Sequence, residues 1–217
     1  MARNRKYTKN EEIANALSHA AGILIGLITG YFLLEASGDN PWAKASVLVY
    51  LFAMLSCYII STSYHAAVNE KKKQLLQKFD HASIYVHIAG SYTPFTLVTL
   101  RNEGLWGWGI FTFVWLSAIV GVSLSFRKYD KHNYFETVCY IVMGCAILVA
   151  LNPLLEAFTA TNRIEAFYWL IAGGISYIVG AFFYSLTKIQ YMHTVFHFFV
   201  LGGSICHIRA IFLVVSA

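Results

Sequence analysis

Charge is what this chain has least of. Only 12% of its 217 residues are Asp, Glu, Lys or Arg, about half the share usual in a soluble domain. Hydrophobic residues make up 58%, and the mean hydropathy is +0.56. So little polar surface cannot cover a water-soluble globule, which leaves a polytopic membrane protein. Proline is also scarce, at three residues, and no Pro/Gly/Ser-rich linker or low-complexity tract interrupts the chain. A string of domains is therefore excluded, and residues 1–217 read as one transmembrane domain with 1–17 as a cytoplasmic N-terminal segment. Cys57, Cys139, Cys145 and Cys206 all fall inside apolar runs without CxxC spacing, so they read as free thiols used in packing rather than disulfides or a zinc thiolate site. A basic region precedes the first apolar run, but no small-residue cleavage site follows; the run reads as an uncleaved signal anchor.

What the chain does have is apolar runs. A span needs roughly 20 apolar residues to cross a hydrocarbon core about 30 Å thick. Seven runs qualify: Ser18–Leu34, Ala43–Tyr64, His81–Leu100, Trp106–Phe126, Phe135–Leu151, Ala166–Leu186 and His193–Val215, the fifth cut short by Asn152, Pro153 and Glu156. The expected fold is an all-α integral membrane protein, a seven-transmembrane helix bundle. Lys and Arg set its orientation. Arg3, Arg5, Lys6 and Lys9 precede the first span. Lys71, Lys72, Lys73 and Lys78 fill the second loop, Arg127, Lys128 and Lys131 the fourth, and Lys188 the sixth. That puts twelve on one side against Lys44, Arg101 and Arg163 on the other, with Arg209 inside the last span. The N-terminus is expected in the cytoplasm and the C-terminus outside. The net charge of +5 then calls for no nucleic acid, because anionic lipid headgroups are the nearest partner for these loops. Asn69 to Lys78 reads as a solvated topology signal or a short interfacial helix.

Against this background a few polar residues stand out. Ionisable groups inside apolar spans are costly unless they pair, face water or hold a metal, so they mark functional sites. The second span ends at His65, the third begins beside Asp80 and the seventh begins at His193, which brings all three to one membrane depth. His193 and His197 are four apart and share a helix face, the spacing that lets two imidazoles share a cation. Ser61 lies one turn deeper than His65, and His87 and Ser91 continue a polar stripe from Asp80. Three imidazoles plus a water is the ligand set of an open, catalytic type of zinc site. His65, His193 and His197 are the candidate ligands. Asp80 is the candidate to hold or deprotonate the water, and Ser61 to hydrogen-bond the water, the carboxylate or a substrate oxygen. His81 and His132 read as packing residues.

His193 and His207, fourteen apart, match helices that hold two haems, but no other span supplies that spacing, so this reading is set aside. His207 lies roughly 15 Å deeper than His197 at 1.5 Å per residue, on a polar path with His87 and Arg209.

Glu12, Asn15, Ser18 and His19 in EEIANALSHAAG, with STSYHAA, FDHASIYVHIAGSYTPF and HTVFHFFVLGGSICH, resemble the hemolysin III family of bacterial membrane proteins. These are relatives of the progestin and adipoQ receptors, which include the adiponectin receptors, and more distantly of the alkaline ceramidases. The resemblance implies a seven-helix bundle in the bacterial plasma (inner) membrane with a cytoplasmic N-terminus. It also implies a zinc ion on three histidines, which map to His65, His193 and His197. A serine on the second span and an aspartate on the third sit by the metal water in the receptors, and those positions match Ser61 and Asp80. The long N-terminal domain of the animal receptors has no counterpart here, so hormone sensing is not carried over. The family name implies haemolytic or pore-forming activity, yet nothing in the sequence resembles a secreted toxin. Two functional classes follow: a zinc-dependent hydrolase of an amide or ester in a membrane lipid, or a non-enzymatic channel, pore or regulator of membrane state with structural zinc.

Overall fold

A computed structural model describes residues 6–126 and 135–216. Arg3, Arg5, the basic loop with Arg127, Lys128 and Lys131, and His132 lie outside the described residues. Among the described residues seven helices follow in order: α1 Lys9–Ala36, α2 Pro41–Ala66, α3 Glu70–Pro94, α4 Trp106–Ser125, α5 Phe135–Ala160, α6 Ile164–Ser185 and α7 Met192–Val215. All but α3 are long and apolar enough to cross a membrane. Each packs on the next, α1 closes against α7, and α3 touches α2, α4, α5 and α7 from the middle. The polarity of a soluble protein is inverted. Leu24, Ile28, Phe52, Ile119, Phe182 and Phe198 point outwards, whereas Asn15, His19, Ser61, His65, Asp80, His87, His197, Ser204 and His207 are buried. An outward apolar face is stable only against lipid. The chain is an integral membrane helical bundle.

Three boundaries differ from the sequence reading, each for a local reason. The first span begins at Lys9, not Ser18, because Thr8 and Glu11 form a reciprocal capping box that satisfies two otherwise orphaned backbone donors. The third helix begins at Glu70, where the Asn69 side chain accepts from the Lys72 amide. The lysine run is thus neither a separate interfacial helix nor a loop but the opening turns of α3. The fifth span does not stop at Leu151. It passes through a 3₁₀ segment, Cys145–Ala150, and resumes as α-helix from Leu151 to Ala160. That restart puts Pro153 in a new first turn, where its missing N–H costs nothing.

Close approaches fix the helix packing. Gly22, Gly26 and Gly30 lie on one face of α1, where an added Cβ would meet Tyr58, Met54 and Leu51 of α2 at 3.0 Å or less. Such small-residue stripes let membrane helices pack by direct contact. After Pro94, α3 ends in a π turn, Phe95–Thr99, closed by the Leu100 amide on the Phe95 carbonyl at 2.9 Å.

Candidate metal centre

Because successive helices alternate in direction, the end of α2 and the starts of α1, α3 and α7 share one end of the bundle. The site is built there. His65, in the last turn of α2, and His193 and His197, in the first turns of α7, each offer a ring nitrogen, and the three atoms lie within 4.8 Å of one another. His65 and His193 meet nitrogen to nitrogen, Nε2 to Nε2, at 3.2 Å. Both histidines of α7 reach inwards because they are one turn apart. That helix starts from Tyr191, whose left-handed φ of 62° turns the incoming chain sharply. The Tyr191 amide donates to Glu11 Oε1 at 2.9 Å, which ties the start of α7 to α1.

The outer nitrogens of two rings are held. Glu12 Oε2 lies 2.7 Å from His65 Nδ1. Ser18 Oγ and the Asn15 carbonyl lie 2.9 and 3.2 Å from His197 Nδ1. Ser18 spends its own hydrogen on that carbonyl at 2.8 Å, so its oxygen is free to accept from His197 Nδ1–H. In each ring a proton fixed on Nδ1 leaves the Nε2 lone pair facing the cluster, the tautomer a metal-binding imidazole needs. Among the described residues His193 Nδ1 is buried without a hydrogen-bond partner. Three imidazole nitrogens converging on one space suit a borderline-soft divalent cation such as zinc. The residues present fit the metal.

Asp80 on α3 and Ser61, one turn before His65 on α2, are both buried at this same end of the bundle, and His81, His65 and Ser61 are the neighbours that bear on the Asp80 carboxylate. Asp80 is not one of the converging ligand atoms, in keeping with an outer role. His81 points away, to Glu136 of α5 at 2.7 Å. Arg209 is not on an internal path: it pairs with Glu165 on the outer surface at 3.1 Å. His207 is buried in the interior, edge-on to Tyr177 at 5.2 Å. His87 lies among Tyr58 and Tyr177, at ring distances of 5.9 and 6.3 Å.

The first turns of α1 carry roles that the sequence reading left unassigned. Glu11, Glu12, Asn15 and Ser18 hold the histidine-bearing elements, and His19 stacks on His197 with ring centroids 3.5 Å apart. The signal was present in the 3–4 spacing of these polar residues at the start of an apolar run, together with the Thr8–x–x–Glu11 box, which sets them on one helix.

A model of the haemolysin-III-related family matches residues 7–208. Hemolysin-3 of Bacillus cereus is 38% identical over 206 residues, covering 94% of this chain and 91% of the relative. The Hemolysin-3 homolog of Bacillus subtilis is 36% identical over 200 residues, 91% of each. Human monocyte to macrophage differentiation factor is 30% identical over 213 residues, 95% of this chain and 85% of the relative. More distant relatives include a yeast ADIPOR-like receptor. With its apolar helices, the match over nearly the whole length makes this chain a multi-pass inner-membrane protein that belongs to the haemolysin-III-related family.

Proposed function

We propose that this protein holds a zinc ion on His65, His193 and His197 and hydrolyses an amide or ester bond in a membrane lipid. The observation that carries the reading is a three-imidazole cluster with a buried carboxylate, Asp80, and a buried hydroxyl, Ser61, at the same end of the bundle. When bound by three imidazoles, zinc keeps an open position, brings the pKa of water towards about 7 and polarises a carbonyl. The chain's own groups do the rest. The Ser61 hydroxyl holds one Asp80 oxygen, and the other takes the proton of the attacking water and returns it to the leaving group. Glu12 and Ser18 keep the imidazoles aimed. Tyr184 and Phe196, each 5.6 Å from the His193 ring, offer an apolar wall to an acyl chain entering sideways from the bilayer.

A second reading makes the protein a non-enzymatic channel, pore or regulator whose zinc braces the helices. It is favoured by His87 Nε2 and both ring nitrogens of His207, which are buried without a hydrogen-bond partner among the described residues and suit an internal hydrated path. One substitution separates the two. Asp80→Asn should retain zinc and melting temperature while lowering lipid hydrolysis about 100-fold to 10,000-fold, the usual effect of losing a general base; Ser61→Ala should cost less. A zinc-loaded Asp80→Asn protein with full activity refutes the hydrolase.

A further inference from the structure

We infer that Glu12 is a positioning residue for the metal centre: its carboxylate sets the tautomer and aim of His65, and Lys73 of α3 pins that carboxylate in place. The inference rests on the metal reading proposed above. The geometry is a relay of three side chains from three helices. Glu12 on α1 places Oε2 2.7 Å from His65 Nδ1 on α2, and its other oxygen, Oε1, lies 2.8 Å from Lys73 Nζ on α3. Neither carboxylate oxygen is left to wander. The His65 side chain is fully buried and that of Glu12 is 19% exposed, so the contact is largely shielded from competing water. Lys73 is held in turn, by the Ala67 carbonyl at 3.5 Å and over the Tyr64 ring at 5.1 Å.

The chemistry of the carboxylate explains why it matters. An acceptor at Nδ1 forces the imidazole proton onto that nitrogen and leaves Nε2 as a lone-pair donor. A charged acceptor also makes Nε2 more basic, and so a stronger ligand, than a neutral one would. His197 shows the contrast within the same site. Among the described residues its Nδ1 meets the neutral Ser18 hydroxyl and Asn15 carbonyl, and His193 Nδ1 has no hydrogen-bond partner. Of the three rings, His65 is the one that a described carboxylate contacts, and it is the candidate ligand that α2 supplies. Its donor strength and direction therefore decide whether the ion bridges α2 and α7 or stays loosely with the two histidines of α7.

The test is metal binding by the full-length protein in detergent. Chelator-stripped protein is titrated with zinc against a competing indicator, and with cobalt(II), whose visible bands report ligand geometry. Glu12→Gln, which keeps the shape and removes the charge, should weaken zinc about 10- to 100-fold, as loss of an outer-shell partner does, and shift the cobalt bands. Lys73→Met, which leaves Glu12 on His65, should weaken it less. Glu12→Asp, whose carboxylate is withdrawn by one methylene, should shift the cobalt bands and bind with intermediate strength, and it serves as the deciding variant if Glu12→Gln does not fold. Binding within twofold of the unsubstituted protein with unchanged cobalt bands, in whichever of the two folds, overturns the inference while leaving the metal reading intact. Failure of the unsubstituted protein to take up one zinc per chain overturns both.

Discussion

Gly90 of α3 faces Ala53 of α2, and an added Cβ at Gly90 would lie 2.3 Å from the Ala53 Cβ. Carbon atoms in contact prefer about 3.5–4.0 Å, so Gly90→Ala requires the two helices to separate locally by more than about 1 Å. Neither methyl can rotate away, because each is fixed to its backbone, and Ala53 and Ala89 are fully buried. Overpacking of this kind costs about 1–3 kcal/mol, offset in part by about 1 kcal/mol from alanine's better helix propensity. The net expectation is a loss of about 0–2 kcal/mol, or a lower melting temperature by up to about 8 °C at 2–4 °C per kcal/mol for a chain of this size. Ala53→Gly added to Gly90→Ala should recover most of that loss, which a double-mutant cycle measures directly. Zinc content should not change, because the contact lies about 18 Å along α2 from His65, at 1.5 Å per residue, and the ligands sit on α2 and α7. Thermal melts of the four proteins in one detergent decide the matter. A double variant no more stable than Gly90→Ala alone would refute the claim that the Ala53 contact sets the spacing of α2 and α3.

Three further outcomes are expected. His65→Ala, His193→Ala and His197→Ala should each strip zinc from the purified protein, and metal analysis showing full occupancy in all three would end the metal reading. The unsubstituted protein should also lose zinc as pH falls, since only the neutral imidazole binds and protons compete for it; metal retained well into the acidic range speaks against histidine ligation. A reporter fused after Ala217 should report the outside and one inserted near Lys72 the cytoplasm, from the twelve-to-three imbalance of basic residues; both on one side would mean a helix that does not cross.

The helices were legible wherever apolarity and helix formation coincide. They part company in α3, whose first three turns carry Lys71, Lys72, Lys73 and Lys78: hydropathy sees a loop there, but a capped helix needs only its backbone bonds. They part again at Pro153, which reads as a stop unless a 3₁₀ segment resets the turn ahead of it. That His193 and His197 come together with His65 was legible because the spacing of the first two is a property of one helix and topology fixes the depth of the third. Glu12 and Ser18 were harder. Their partners, His65 and His197, lie 53 and 179 residues away, and no local pattern states which imidazole a carboxylate or hydroxyl will meet.

The candidate centre is built from helices far apart in the order of synthesis. Its outer partners lie on α1 and two of its three ring donors on α7, and His193 stands 128 positions after His65. A nascent chain still inserting its middle helices holds one of the three donors and none of the geometry. Metal capture by this set of residues would therefore have to wait until α7 has entered the bilayer and docked on α1. Occupancy would then report that α7 has closed on α1, and a chain stalled before α7, however well its early helices insert, could not display the same centre.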